Sequence, residues 1–172
     1  TRPLFILNQA HFSAPPPPQG PSLATQLQWV AQCVHAVGVG RSLAEVLPQV
    51  PSALRPGVQA LTFEALRQLG GARALAKMLA QRAPAPAALA LLHTALALLL
   101  GDAQGQRYAP HTLVDQAVDA AKLSRDTRMQ AGFLNACLRR FLRERDALTE
   151  RLSHDPVAVY NHPLWWINRV KA

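Results

Sequence analysis

The chain has 172 residues, 49% of them apolar, with 18 Lys and Arg against 10 Asp and Glu, a formal charge of +8 and a pI near 10.7. That is one domain, or one domain plus a tail, able to bury ~70% of the surface its unfolded form exposes, so a core needs neither disulfide nor metal. Charge-driven disorder is excluded for most of the length, and 30 Ala and 27 Leu against only 2 Ile favour helix over sheet.

Residues 1–21 contain Pro15 to Pro18 and then Gly20-Pro21, a polyproline-type stretch that cannot continue a helix and reads as a leader or linker. From Ser22 onward, helices follow one another with short polar breaks. Leu23, Leu27, Val30, Val34 and Val37 recur at helical spacing until Gly38 and Gly40. Ser42 to Glu45 is a capping-box signature opening a short helix that Pro48 and Pro51 disrupt. Pro56 to about Ala80 predicts a third helix, interrupted or bent at Gly70-Gly71.

Ala83 to Gly101 has no formal charge, but Pro84 and Pro86 confine its helix to about Ala87 to Leu100. That is roughly 21 Å long, short of the ~30 Å hydrocarbon core of a bilayer. A helix apolar on every side belongs at the centre of a bundle. A fifth helix runs from Pro110 to Leu123 with Leu113, Val114, Ala117, Val118 and Ala121 inward. A sixth, capped by Asp126, is expected to reach about Leu152, and Asp155-Pro156 and His162-Pro163 open two short closing pieces. The expectation is an all-α bundle. With no secretory pattern at the N-terminus, its default address is the cytosol.

The isolated Cys33 and Cys137 read as buried thiols of a reducing compartment, and no zinc motif can be built. The histidines are dispersed, with His35 and His93 expected at the edge of the core. No dinucleotide fingerprint, phosphate-binding loop, serine elbow or close carboxylate pair is present, so no catalytic residue is assigned.

The chemistry concentrates elsewhere. Residues 122 to 145 carry seven basic and two acidic groups, +5 of the total +8. On a helical wheel Phe133, Cys137, Leu138, Phe141 and Leu142 fall on one half, while Asn135, Arg139, Arg140 and Arg143 fall on the other, with Arg128 on the same side and Gly132 between. Such a face suits a polyanion, because each neutralised phosphate releases counterions and a guanidinium grips phosphate by two bonds. The alternatives are a solvated face or one that meets acidic protein. Arg67, Arg73 and Lys77 form a sparser basic set for which solvation suffices, Arg107 lies in a turn before Pro110, and Asp115 and Asp119 are expected to be merely the solvated side of their helix. At the C-terminus Trp165 and Trp166 project about 100° apart, so one small bundle is not expected to bury both. The chain stops at Ala172 without a helix terminator, and it is expected to continue.

The run Gly132-Phe133-Leu134-Asn135-Ala136-Cys137-Leu138-Arg139-Arg140-Phe141-Leu142-Arg143-Glu144 resembles the signature of the NusB-like N-terminal domain in the ribosomal RNA small-subunit methyltransferase B family. Pro110 to Lys122 is similar to a second motif of that family, with Gln116 in place of its usual Glu. His162-Pro163-Leu164-Trp165 resembles the motif leading into its next domain, and Gly40-Arg41-Ser42-Leu43 fits the first helix junction.

The resemblance implies a NusB-like bundle of six to seven helices at 22–155, with 156–172 beginning the connection to an S-adenosylmethionine-dependent cytosine-C5 methyltransferase domain outside this chain. The chain itself would hold no cofactor or metal and would bind ribosomal RNA; Asn135, Arg139, Arg140 and Arg143 fall on the signature helix, and Arg128, Lys122 and Arg67 are added as candidate RNA contacts from their charge and position. His162, Trp165 and Trp166 would dock the catalytic domain. A stand-alone NusB-like antitermination factor and a protein-interaction domain are the alternatives.

Overall fold

The most apolar of the long helices takes the centre. In the computed structural model, which describes residues 20–101 and 108–172, α5 (Pro86–Leu100) is surrounded by α1 (Leu23–Gly38), α3 (Arg55–Arg67), α4 (Leu69–Leu79), α6 (Pro110–Leu123) and α7 (Ala131–Arg143). Ten of its fifteen residues are buried, and each buried Leu contributes ~1.5–3 kcal/mol by leaving water. Its one buried hydroxyl, on Thr94, donates to the Ala90 carbonyl at 2.8 Å. The remaining segments are α2 (Leu43–Val46), α8 (Arg145–Ser153), α9 (Pro156–Tyr160) and α10 (Leu164–Lys171). The described residues are helices joined by turns. Residues 1–19 of the leader expected at 1–21, and the turn holding Arg107, lie outside the described residues.

Local chemistry explains where the helices stop. The α1 helix ends in a Schellman arrangement: Arg41 N–H donates to the Ala36 carbonyl at 2.9 Å and Gly40 N–H to the Val37 carbonyl at 3.0 Å. This requires the positive φ of 91° that Gly40 supplies. The Ser42 hydroxyl accepts from Ala44 N–H and opens α2, which tightens into a 3₁₀ turn at Leu47–Gln49, where Pro48 sits. The polar ties between α1 and α6 were not foreseen. Ala24 N–H, in the first turn of α1, donates to Gln116 Oε1 at 3.1 Å, and Gln28 Nε2 donates to the Ala120 carbonyl at 2.9 Å.

Two long helices expected from the sequence are each divided, which brings the described residues to ten α-helices. The first break falls at Gln68 and not at Gly70-Gly71, both of which lie inside the first turn of α4. Those glycines serve packing. A Cβ on Gly70 would stand 2.7 Å from the Val157 carbonyl oxygen of α9, and one on Gly71 would stand 3.0 Å from Leu100 Cδ1. The second break falls at Glu144, separating α7 from α8. Arg145, just past it, reaches back under the bundle, donating to the Leu99 carbonyl at 2.8 Å with its guanidinium 5.6 Å from the Phe141 ring. Asp126 caps nothing. A 3₁₀ turn at Arg128–Gln130 precedes α7, and it is Thr127 that anchors the turn, its buried hydroxyl donating to the Ala121 carbonyl at 2.7 Å.

His93, half-buried in the middle of α5, is held neutral. Burial first, then Arg73 and Lys77 of α4, lower it from its ordinary 6.5 to about 4. The unfolded chain takes up this proton near pH 6.5 and the folded one only near 4, so the stability it contributes is whole above 6.5 and is lost as pH falls towards 4. Discounted for partial exposure, the loss is about 1–2 kcal/mol. Urea unfolding at pH 7 and pH 4.5 is expected to show this loss reduced in a His93→Gln variant; an equal loss in both proteins would contradict it.

Candidate nucleic-acid interface

The α7 helix is amphipathic in the manner its spacing predicts. Leu134, Cys137, Leu138 and Phe141 are buried against the bundle, and Phe133 and Leu142 are half-buried at the margin. Asn135 and Arg143 are exposed, and Arg139 and Arg140 are partly so. Gly132 is exposed, with no atom within 4 Å of where a Cβ would stand, which leaves bare backbone in the first turn of the helix. Burial pushes the thiols of Cys33 and Cys137 up, the opposite of what activates a cysteine nucleophile.

The electrostatics of this face differ from its one-helix reading, because α6 brings a carboxylate to it. Arg139 Nη2 donates to Asp115 Oδ1 at 2.6 Å, Nη1 lies 3.3 Å from His111 Nδ1, and Nε donates to Asn135 Oδ1 at 3.4 Å. Asp115 is therefore more than the solvated side of its helix: it forms part of a polar tie between α6 and α7 that also occupies Arg139 and Asn135. Arg140 Nε contacts Glu144 one turn on at 3.2 Å, and Lys122 lies 3.6 Å from Asp119. Such exposed pairs are worth ~0–1 kcal/mol, so a phosphate can displace the carboxylate at small cost.

Four cations of the segment form no ion pair among the described residues: Arg145, which is turned inward to the Leu99 carbonyl, and Arg125, Arg128 and Arg143, which are exposed. Arg125 was not singled out by the wheel because it precedes the helix; its signal is its place in the turn that feeds α7. Arg67 is not brought to this face. It ends α3, which packs chiefly on α1 and α5, and its Nε donates to the Phe63 carbonyl at 3.3 Å.

The C-terminal residues form a separate surface. Neither tryptophan is buried: Trp165 is 66% exposed, and Trp166, 40% exposed, leans on the His162 ring with centroids 4.3 Å apart. Ile167 is the buried anchor of α10, while Tyr160, Leu164 and Val170 are exposed beside it. The α9 helix sits firmly on α4. Asn161, in the left-handed region at φ 53°, accepts from Gly70 N–H at 2.6 Å and donates to the Leu66 carbonyl at 2.9 Å, so one side chain stitches the α3–α4 junction to the end of α9. Nothing in the sequence pattern singled out Asn161, although Asn is a residue that tolerates a left-handed helix end.

Among the described residues no helix is long and apolar enough to cross a membrane, and no group of three or more His, Cys, Asp or Glu is placed to hold a metal. What stands out is an all-α bundle with an arginine-bearing helix on one surface and an aromatic patch on another. No family model matches the chain.

Curated relatives do match it. The chain is 30% identical over 136 residues to ribosomal RNA small subunit methyltransferase B of Vibrio vulnificus, covering 76% of this chain and 31% of that protein. It is 25% identical over 141 residues to the protein of the same name from Vibrio cholerae, covering 80% and 32%, and 29% identical over 136 residues to that of Pasteurella multocida, covering 77% and 30%. The chain thus spans about a third of the length of these relatives, and it is related in sequence to ribosomal RNA small subunit methyltransferase B.

Proposed function

We propose that the chain is a non-catalytic, NusB-like RNA-binding domain of a methyltransferase that modifies small-subunit ribosomal RNA at cytosine C5. The observation that carries the reading is the exposed Gly132 backbone with Arg125 and Arg128 before it and Arg143 at the far end of α7, three cations without carboxylate partners among the described residues. An RNA backbone can approach the bare glycine while these guanidiniums take its phosphates. Arg140 and Lys122 would join by exchanging a carboxylate for a phosphate. Arg139 and Asn135 would act chiefly by holding α7 against α6, and Arg67 would lie at most at the margin.

The name shared by the relatives supports the substrate, and the two thirds of their length outside the match leaves room for a catalytic domain that would bind S-adenosylmethionine. The exposed Trp165 and Trp166, set by His162, are where that domain would dock; residues 22–155 would form the RNA-binding body and 156–172 the connection. A cytoplasmic setting follows from such a substrate.

A second reading has a specific observation in its favour. Arg139 and Arg140 already engage carboxylates, which is how the face would greet an acidic protein. Competition separates the two. Ribosomal RNA fragments are expected to bind the chain in the presence of excess polyglutamate, and an Arg128→Gln/Arg143→Gln variant is expected to bind about 10-fold or more weakly. Equal displacement by polyglutamate, with no loss in the variant, would favour the protein-interaction reading.

A further inference from the structure

A second basic site is assembled by two helices whose basic residues looked unremarkable in the sequence. Arg73 and Lys77 stand one turn apart on α4, and His93 of α5 lies between the two helices. Together with Gln81 they line a cavity of about 430 Å³ whose other walls are Ala76, Ala80, Ala83 and Leu89. That volume falls in the ~300–1,000 Å³ range of small-ligand clefts. On the far side of Arg73 a smaller hollow of about 230 Å³ is shared with the end of α1, where His35, Gly38 and Val39 meet Arg73 and His93.

No carboxylate lines either space. Neither Arg73 nor Lys77 forms an ion pair among the described residues. Arg73 reaches across to α1, its Nη2 3.1 Å from where a Cβ on Gly38 would stand, so the absence of a side chain there makes room for the guanidinium. Burial first, and then the two cations, disfavour protonation of the His93 ring. Uncompensated positive charge facing a partly enclosed space is the arrangement that an oxyanion relieves.

We propose that the cavity between α4 and α5 binds a phosphate group, with Arg73 and Lys77 supplying the charge and His93 and Gln81 further hydrogen bonds. The site is independent of the α7 face, and the proposal does not rest on the RNA reading of that face. The phosphate is either a free phosphate group or a phosphodiester of a bound nucleic-acid strand, and the two share the chemistry that Arg73 and Lys77 recognise.

Calorimetric titration of the 172-residue chain with inorganic phosphate tests this, beside an Arg73→Gln/Lys77→Gln variant and an Arg151→Gln/Arg169→Gln control, two cations that neither line the cavity nor belong to the face proposed to meet RNA. All four side chains are at least partly exposed, and circular dichroism confirms that each variant keeps its helices. Saturable binding that weakens about 10-fold or more in the first variant and is unchanged in the second is the expected result. A single-stranded RNA pentamer that competes with phosphate for the wild-type site, but not for that of the first variant, assigns the site to a phosphodiester; failure to compete assigns it to a free phosphate group. Absence of saturable phosphate binding, or equal weakening in both variants, overturns the proposal.

Discussion

Replacing Phe141 with alanine is expected to lower the stability of the chain by about 3–5 kcal/mol, the range for emptying a fully buried aromatic position. Among the described residues Phe141 is the largest side chain with no solvent exposure. It packs on the underside of α7 with Leu134 and Leu138, and the Arg145 guanidinium stands over its ring. The cavity would lie beneath the arginines, so the same change is expected to loosen the face proposed to meet RNA. For a domain of this size the melting temperature should fall by about 6–20 °C, as read by thermal unfolding followed at 222 nm. Phe141→Leu, which keeps most of the volume, should cost markedly less. A loss for Phe141→Ala under about 1 kcal/mol would mean that α7 is not anchored as described.

The second large effect is at Gly70. A methyl group there would stand 2.7 Å from the Val157 carbonyl oxygen and 2.9 Å from Asn161 Oδ1. Neither can retreat easily, because Asn161 is fixed by hydrogen bonds at both ends of its amide. Gly70→Ala is expected to cost about 1–3 kcal/mol, even though Ala is the better helix former. The damage should concentrate in α9 and α10, with faster amide exchange there than in α5. Gly71→Ala is the comparison. Its nearest neighbour is the tip of Leu100, a side chain that can rotate away, so the cost should be smaller. Similar effects at the two positions, or no effect at Gly70, would contradict the close approach of α9 to α4.

How much of this was legible in the sequence depends on whether the cause is local. The central position of α5 was readable because fourteen consecutive uncharged, mostly apolar residues leave no polar face to expose. The starts of α5 and α6 followed from Pro86 and Pro110, and the end of α1 from Gly40. The break at Gln68 and the division at Glu144 were not readable, because their causes lie elsewhere in the chain. Gly70 is small because α9 crosses it, and Arg145 turns inward because Leu99 offers a carbonyl.

The same limit applied to the proposed interface. The wheel sorted the arginines of α7 onto one side correctly, since that needs only the helical period. It could not know that Asp115, twenty-four residues earlier, would arrive opposite Arg139, or that Arg73 and Lys77 would converge on His93 across a cavity. Charge counted along one helix overstates the charge left free on the folded surface.

The salt dependence of binding to ribosomal RNA tests the central claim most directly. The logarithm of the affinity is expected to fall linearly with the logarithm of the salt concentration. The slope should shrink by about one unit for each of Arg128 and Arg143 changed to Gln, and by distinctly less for Arg139→Gln, whose charge is already met by Asp115. That ordering would identify the open cations of α7 and of the turn before it as phosphate contacts. A slope unchanged by all three substitutions, in variants that keep their helices, would contradict the claim and return these arginines to a structural role.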